Sequence, residues 1–297
     1  MDDIKSIQLV LLRELLRVCQ SLNLPIYADG GTLLGAVRHR GFIPWDDDID
    51  MMMLRPDYDK LVENAAKEFE TPFFFQTAYS EKAPYPRGHA QLRIDNTAAI
   101  LPTDIDQGFH QGIFIDIFPY DAVPDDPSAR EILCKDRDRM FAEMTEYAYG
   151  HFSVFSSSHN KVLRSLRQRI DSVGFKRYYA SYENLFRTYP IAENKTIACL
   201  SFINDLKKFQ RDKEWYDETI LVPFEDIMIP IPAGYDQILT KQYGDYMTPV
   251  QAPSYHGGFT VLDTKKSYLE YLPALRKRKK KAIWKERFQK YRRLLHR

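Results

Sequence analysis

Apolar residues recur every three or four positions over residues 4–22, which predicts a helix that packs on one side. Asn23 and Pro25 end this pattern. A short strand over 26–28, a helix over 32–39, a strand ending near Met53 and a helix from Pro56 to about Phe69 are predicted to follow. The apolar stripe of the first helix consists of Ile7, Leu11, Leu15, Val18 and Leu22.

Runs of β-branched and aromatic residues predict further strands over 73–76, 90–94 and 112–118, the last ended by Pro119. Together they indicate a mixed sheet. Residues 125–190 contain long charged, helix-forming stretches and no strand run, so they are predicted to form a helical insert. Later in the chain we expect a returning strand over 197–203, a proline-rich edge over 227–232 and a short helix over 235–243, capped by Gly244.

The 297 residues are enough for one large domain or for a domain with an insert. Three cysteines, an odd number without metal-ligand spacing, favour a reducing cytosol over a disulfide framework. The N-terminus lacks the pattern of a signal peptide and no stretch approaches about 20 apolar residues, so we expect neither a signal peptide nor a membrane span.

Charge is distributed unevenly along the chain. Residues 276–297 contain 12 Lys or Arg and one Glu, so the net charge of +1 leaves about −10 on the preceding residues. Such an acidic body argues against binding of nucleic acid. Trp284, Phe288, Tyr291 and Leu295 recur at helical spacing within the basic tail, which favours an interfacial helix at an anionic membrane. The alternative is a charged helix that packs these residues on the body.

The most informative segment is DGGTLLGAVRHRGFIPWDDDID, residues 29–50. Its glycine pair permits close approach of an anion, and a helix opening at Thr32 would direct N–H groups toward that anion. Asp48 and Asp50 are two residues apart, so on a strand both carboxylates share one face and can hold hard cations. Each feature alone also fits a simple turn or a solvated loop, but acids flanked by apolar residues require a positive partner.

A third carboxylate, Asp116, lies within the strand segment GIFIDIFP, residues 112–119. Period-two alternation places it on the face of Phe114 and Phe118, so it can join Asp48 and Asp50 if the strands are neighbours. The alternative is a buried Asp paired with a cation such as Arg93.

These two segments, with VPFEDIMIPIPAGYDQILTKQYGDY at residues 222–246, resemble the LicD family, which includes the fukutin-related phosphotransferases. The resemblance implies an α/β (α+β) fold, with a nucleotidyltransferase-like mixed β-sheet core, flanking helices and a helical insert. The core would comprise residues 1–124 and 191–262. The insert, 125–190, is a candidate acceptor-binding region whose many aromatics could stack on sugars or enclose a quaternary ammonium, and 263–297 would be the basic amphipathic tail.

The activity implied by the resemblance is a Mg²⁺-dependent transfer of a phospho-alcohol, with Mn²⁺ as an alternative metal. The group transferred would be phosphocholine, moved from CDP-choline or another CDP-alcohol to a hydroxyl of a surface glycan such as teichoic acid or lipopolysaccharide. The acceptor would be lipid-linked, and the protein cytoplasmic and peripheral on the inner face of the membrane.

The resemblance also assigns roles to residues of this chain. Asp48 and Asp50 match the metal-binding pair, and Asp116 matches a third ligand that also takes the proton of the acceptor hydroxyl. Substrate-binding positions are Gly30, Gly31 and Thr32 in the phosphate turn, Arg38 and His39 beside it, Arg93 on its strand and His256 in a glycine-rich loop. For His39 and His256 a structural or surface role is the alternative.

Two other functions remain open from the sequence. One is transfer of a nucleotide with release of pyrophosphate, which would use the same glycine pair and carboxylates. The other is a non-catalytic adaptor for glycan assembly at the membrane surface, against which the intact carboxylate trio argues. The released product, CMP or pyrophosphate, separates the first alternative from phosphocholine transfer.

Overall fold

The structure, a computed structural model, describes residues 2–150, 157–201, 205–251 and 258–295. The helices in these ranges are α1 (Asp2–Ser21), α2 (Gly30–His39), α3 (Arg55–Glu68), α4 (Pro127–Tyr149), α5 (Ser157–Val173), α6 (Phe175–Arg187), α7 (Leu206–Phe209), α8 (Tyr235–Tyr243) and α9 (Tyr268–Leu295). The strands are β1 (Tyr27–Ala28), β2 (Asp50–Leu54), β3 (Phe73–Gln76), β4 (Ala90–Ile94), β5 (Ala98–Ile100), β6 (Phe114–Ala122), β7 (Thr196–Ala198), β8 (Arg211–Asp212), β9 (Thr219–Phe224), β10 (Ile227–Pro232) and β11 (Val261–Asp263).

A mixed sheet in the order β1-β2-β6-β4-β3 forms the centre of the molecule. β2 and β6 are parallel and the other neighbours on this path are antiparallel. The parallel pair follows from the long connection between β2 and β6, which contains α3 and the β3–β4 pair. β7 pairs antiparallel with the last two residues of β6 and also with β8. The predicted α/β class with a mixed sheet is therefore confirmed.

The first helix packs on the sheet through the predicted stripe, in which Leu11, Leu15 and Val18 are completely buried. Apolar residues from α1, α2, α3 and the sheet form one continuous core. Burial of such side chains is the main force that holds a helix of this kind against a sheet.

Strand β6 is longer than the sequence predicts, because it passes through Pro119 and ends at Ala122. Proline was expected to end it, since proline has no N–H for the ladder. In the structure the last residue of β6 that pairs with β4 is Ile117, opposite Ala90. Pro119 lies beyond that point, where β4 no longer requires a hydrogen bond from it.

The described residues of segment 125–190 form the predicted helices, with α4, α5 and α6 around a second apolar core. Most aromatic residues of α6 belong to this core, including Tyr179, Tyr182 and Phe186. They are therefore packing residues, not exposed rings for sugars or for a quaternary ammonium. Phe152 and Phe155 of the same segment lie outside the described residues.

A buried ion-pair network fixes this helical region to the sheet. Arg55 at the start of α3 donates two hydrogen bonds to Asp121 of β6, at 2.6 and 2.8 Å, and one to Glu183 of α6 at 3.2 Å. All three side chains are nearly inaccessible to solvent. Since a buried charge without its partner is costly, the network holds α6 at a fixed position over the end of β6.

Two smaller units complete the fold. β9 and β10 form a hairpin, and α8 ends at Gly244 with φ +70°, as the sequence predicts. β5 pairs with β11, and the beginning of α9 packs against them through Leu272. Among the helices that the structure describes, none combines the length and the apolar character that are needed to cross a bilayer.

Candidate active site: a polar row across the sheet

Polar residues cross the sheet in a single row, one from each strand or strand end. Asp50 of β2 lies directly opposite Asp116 of β6, and Gln91 of β4 lies opposite Asp116 on its other side. Gln76 of β3 pairs in turn with Gln91. At the other end, the Asp29 N–H donates to the Asp50 carbonyl at 3.0 Å, just after β1. Cross-strand neighbours project to the same face, so these five side chains share one side of the sheet.

The carboxylate of Asp50 has several other carboxylates as neighbours. Burial, followed by repulsion from Asp48, Asp116, Asp29 and Asp46, holds the pKa of Asp50 well above its ordinary value. In the described part of the chain, no salt bridge pairs Asp50 with a basic side chain. A carboxylate among four others carries its charge at neutral pH only when a cation joins them. The donor set consists of carboxylate oxygens, which suits a hard divalent cation.

The glycine pair makes room for these carboxylates. A Cβ on Gly30, whose φ is +50°, would lie 3.2 Å from Asp50 Oδ2, and a Cβ on Gly31 would overlap Asp46 Oδ2. α2 begins at Gly30, two residues earlier than predicted, with Asp29 as its N-cap. The positive end of the helix dipole therefore faces the acids.

Thr32 holds Asp50 in position through a buried contact. Its hydroxyl accepts a hydrogen bond from the Asp50 backbone N–H at 2.9 Å. The first residue of β2 is thereby joined to the first turn of α2, and the Thr32 hydroxyl is directed at the protein backbone. Sequence reasoning had placed Thr32 in the phosphate turn.

The side chain of Asp116 is held by Gln91 of β4 and by His89, the residue just before β4. His89 Nε2 lies 3.0 Å from Asp116 Oδ1, and Gln91 Nε2 donates to the same oxygen at 2.7 Å. Burial opposes ionisation, but the hydrogen bond and charge of His89, the Gln91 bond and the charge of Arg87 outweigh it, so the pKa of Asp116 is lowered. A lowered pKa makes the Asp116 carboxylate a weaker base, which suits metal ligation better than proton abstraction.

The structure places Arg93 in neither of the two roles considered from the sequence, a contact with a substrate phosphate or an ion pair with Asp116. Its guanidinium is 2% exposed and donates to the Gln76 side chain, the Gly112 carbonyl and the Gln91 side chain. It therefore reaches Asp116 only through Gln91 and makes no direct ion pair with it. All three guanidinium nitrogens have protein partners, so the expected contact with a substrate phosphate is not available in this structure.

The acidic loop before β2 differs from the expected strand. β2 begins at Asp50, so Asp48 lies in the preceding loop and not on the strand with Asp50. Within the described residues, the carboxylates of Asp46, Asp47 and Asp48 form the group whose ligand atoms all lie within 4.8 Å of one another. Asp46 and Asp48 share a side-chain hydrogen bond. Asp48 belongs to this acidic loop, and its charge also repels that of Asp50. Asp116 is instead held by its contacts with His89 and Gln91.

Arg38 and His39 lie at the other end of α2 from the glycine pair. Arg38 comes eight positions after Gly30 in α2, about 12 Å along the helix axis. Arg38 donates to the Tyr246 carbonyl at 2.7 Å, and burial lowers the pKa of its guanidinium. Both residues therefore lie in the last turn of α2, and their role in substrate binding stays a prediction. His256, the remaining predicted substrate residue, lies outside the described residues.

Several residues of the site were missed in the sequence. The buried Asp29 carboxylate accepts from Arg211 at 2.6 Å and from the Tyr120 hydroxyl at 2.7 Å. Arg211 also donates to Gln242 of α8 at 3.2 Å. Tyr243 follows, with its pKa raised by burial and by Asp29 and Asp50. The similarity of residues 222–246 to the family motif was the available signal for α8, but Arg211 stands in no motif.

Comparison with known proteins agrees with this geometry. A family model described as "LicD/FKTN/FKRP, nucleotidyltransferase domain" matches residues 23–143, which include every strand of the polar row. The lipopolysaccharide cholinephosphotransferase LicD of Haemophilus influenzae (strain ATCC 51907 / DSM 11121 / KW20 / Rd) is 30% identical over 231 residues, 77% of this chain and 84% of that protein.

Two shorter similarities involve uncharacterized proteins of Rickettsia prowazekii (strain Madrid E) and Rickettsia typhi (strain ATCC VR-144 / Wilmington). Each is 51% identical over 35 residues, which are 12% of this chain and 13% and 11% of the respective relatives. The long match to the Haemophilus protein, together with the family model, decides the assignment. The chain belongs to the LicD family and is an enzyme of the LicD type.

Proposed function

We propose that this protein is a Mg²⁺-dependent cholinephosphotransferase that moves phosphocholine from CDP-choline to a hydroxyl of a surface glycan, such as lipopolysaccharide or teichoic acid. The observation that carries the proposal is the polar row in which Asp50 lies opposite Asp116 on the parallel strands. Support for the transferred group comes from the lipopolysaccharide cholinephosphotransferase of Haemophilus, 84% of which this chain matches.

The residues present fit a divalent cation. Asp48, Asp50 and Asp116 would hold it, and Asp46 and Asp47 lie close enough to Asp48 to share in the coordination or to orient bound water. Oxygen donors of this type suit Mg²⁺, with Mn²⁺ as the alternative. When bound, such a cation neutralises charge on the pyrophosphate of the donor and on the oxygen that leaves with cytidylate.

The chain's own residues would position the reacting groups. Thr32 and the N-terminus of α2 hold Asp50, while His89 and Gln91 keep Asp116 ionised and directed along the row. The Gly30 N–H donates to the Asp29 carboxylate, so the other N–H groups in the first turn of α2 would favour a donor phosphate at this end of the helix. Phosphoryl transfer depends mainly on such positioning and charge neutralisation, so no covalent nucleophile is required from the protein.

We also propose that the acceptor is lipid-linked and that the C-terminal residues bring the site to an anionic membrane. The beginning of α9 is fixed to the body, because Arg276 donates to the carbonyls of Ile105 and Gln107 and Lys279 pairs with Asp106. Farther along, Trp284 is 67% exposed. Most of the Trp284 side chain is therefore accessible, and an aromatic residue beside a basic run suits an anionic membrane surface. The side chains of Phe288, Tyr291 and Leu295 lie outside the described residues.

Product analysis tests the proposed reaction. Purified protein is incubated with Mg²⁺, a glycan extract from the source cells as acceptor, and either CDP-choline or CTP, with and without EDTA, and the released nucleotides are separated by chromatography. The proposal expects CMP from CDP-choline, lost with EDTA, and no pyrophosphate from CTP. Pyrophosphate release without CMP would instead identify a nucleotidyltransferase. Absence of both products in the presence of a glycan extract from the source cells would favour a non-catalytic adaptor.

A further inference from the structure

A basic side chain, that of Arg87, stands close to Asp116 of the polar row. Arg87 comes two residues before His89, whose Nε2 lies 3.0 Å from Asp116 Oδ1, so the Cα atoms of Arg87 and His89 are within about 8 Å of each other. The charge of Arg87 also contributes to the lowered pKa of Asp116. A negatively charged group bound beside Asp116 would therefore lie in the field of this guanidinium.

The backbone at Arg87 is fixed by contacts with distant parts of the chain. The Tyr179 hydroxyl of α6 donates to the Arg87 carbonyl at 2.8 Å. A Cβ on the next residue, Gly88, would lie 2.6 Å from the Cβ of Ser201 and 2.8 Å from the Ser201 carbonyl oxygen. Glycine is therefore required at this close approach, and the Arg87 side chain starts from a defined position.

Asp104 holds the Arg87 side chain from one direction. Arg87 Nη2 donates to Asp104 Oδ2 at 3.2 Å, and the Thr103 hydroxyl donates to Asp104 Oδ1 at 3.0 Å. Tyr149 also forms a hydrogen bond with the Asp104 carboxylate. The side chain of Asp104 is 5% exposed and that of Arg87 is 23% exposed. The carboxylate of this pair is thus buried, whereas the cation is partly open to solvent.

Arg87 is less completely bound by the protein than Arg93. All three guanidinium nitrogens of Arg93 donate to protein oxygens. Within the described part of the chain, the Nε of Arg87 is buried and has no hydrogen-bond partner. Buried N–H groups are nearly always satisfied in proteins, so this group indicates an acceptor that the protein itself does not supply.

The chemistry of a guanidinium selects the class of ligand. It stays charged at any physiological pH, and its planar fork of N–H groups matches two oxygens of one phosphate. A sugar hydroxyl offers a single oxygen and no charge, so it uses the fork less well. Phosphate is also the group that a reaction beside Asp116 would bring to this place.

We propose that Arg87 binds a phosphate group of a substrate beside Asp116, and that Asp104 orients the guanidinium for this contact. The inference rests on the proposed function, because it assigns a contact to the substrates of that reaction. The phosphate has two sources, the pyrophosphate of CDP-choline or a phosphate group carried by the acceptor glycan, and the two are separated by experiment.

Steady-state rates of CMP release by the full-length protein locate this phosphate. For the wild type and Arg87→Gln, kcat/KM is measured for CDP-choline and for the glycan extract, each at saturating Mg²⁺ and a saturating amount of the other substrate. We expect Arg87→Gln to lower one of the two values by about tenfold or more, as when a hydrogen bond to a charged group is lost. The substrate affected carries the phosphate. Unchanged kcat/KM for both substrates would overturn the proposal.

Three variants separate phosphate binding from a purely structural ion pair. Asp104→Asn removes the pair but keeps the cation, so it should lower kcat/KM much less than Arg87→Gln, and equal losses would overturn the proposal. Arg87→Lys keeps the charge without the fork and should fall between the wild type and Arg87→Gln. Arg187→Gln, which removes a partly exposed ion pair with Asp59, is the matched control and should change neither value. If Arg87→Gln does not fold, Arg87→Lys decides, and wild-type kcat/KM values in that variant would overturn the proposal.

Failure of the proposed function would be visible separately, because the wild type would then release no CMP from CDP-choline. In that case the phosphate contact is tested by calorimetry with inorganic pyrophosphate in the presence of Mg²⁺. The wild type should bind pyrophosphate more tightly than Arg87→Gln by about tenfold or more. Equal affinities would overturn the phosphate contact as well.

Discussion

Removal of the Asp50 charge should stabilise the metal-free protein while it abolishes turnover. Asp50 and Asp116 lie opposite each other on strands about 4.8 Å apart. Two carboxylates about 5 Å apart repel by about 3 kcal/mol at an effective dielectric constant of about 20. Proton uptake by Asp50 and the positive surroundings of Asp116 relieve part of this, so we expect Asp50→Asn to add about 1–3 kcal/mol to the free energy of unfolding without metal.

The pH dependence has a definite sign. The pKa of Asp50 is raised in the folded protein, so its charge costs stability above the unfolded pKa, about 3.9, and costs nothing well below that value. The advantage of Asp50→Asn should therefore be present at neutral pH and shrink as the pH falls toward 4. With Mg²⁺ present the order should reverse, because the variant lacks a ligand that binding would use.

Thermal unfolding in EDTA and in Mg²⁺, together with the rate of CMP release, measures all three effects. Asp50→Asn should unfold a few degrees higher than the wild type in EDTA, gain less from Mg²⁺ and lose most turnover. Asp217→Asn, which removes an exposed charge outside the site, is the matched control. A lower midpoint for Asp50→Asn in EDTA, or near-normal turnover, would show that no cation is needed where Asp50 lies.

Three further predictions concern contacts around the site. Thr32→Val should lower the free energy of unfolding by about 1–3 kcal/mol in urea titration, because the Asp50 N–H loses its acceptor. Arg211→Met should lower it by about 3–5 kcal/mol in the same titration, because the buried Asp29 carboxylate loses its cation. A chain ending at Lys280 should lose binding to anionic liposomes in sedimentation yet keep turnover on a soluble acceptor, since basic residues near such a surface contribute about 1 kcal/mol each.

Each of these predictions has its own control. Thr32→Ser keeps the hydroxyl and should restore most of the lost stability, so an equal loss in both variants would point to the missing methyl. Arg13→Met removes a pair that is largely exposed, which should cost at most about 1 kcal/mol, and equal costs at the two arginines would refute the argument from burial. For the tail, failure of the full-length protein to sediment at low salt, or unfolding of the shortened chain, would exclude the membrane role.

The local sequence pattern was sufficient to predict most strands of the sheet and the carboxylates that they carry. Alternation predicted that Asp116 can face Asp50 if their strands are neighbours, and the structure pairs these two residues directly. β3 and β4 have the predicted bounds, and so does α8. Such elements depend on side chains within a few residues, which a sequence displays.

Contacts between distant parts of the chain were not predictable in this way. Arg211 meets Asp29 across 182 residues, and nothing in its own surroundings marks it as part of the site. The sequence likewise gave no sign that Gln76 and Gln91 would surround Arg93 and keep it from a phosphate. The predicted helix over 32–39 already places Arg38 near its C-terminal end, but the contact of Arg38 with the Tyr246 carbonyl, 208 residues away, was not predictable.

The most direct test of the acidic row is a titration of the protein with Mn²⁺, followed by electron paramagnetic resonance in the presence of CDP-choline. The wild type should bind Mn²⁺, in competition with Mg²⁺, and Asp50→Asn and Asp116→Asn should each weaken that binding by about tenfold or more, as expected when a ligand or its oriented partner is lost. Equal Mn²⁺ affinity in the wild type and both variants would contradict the assignment of this row as the metal site of a phosphocholine transferase.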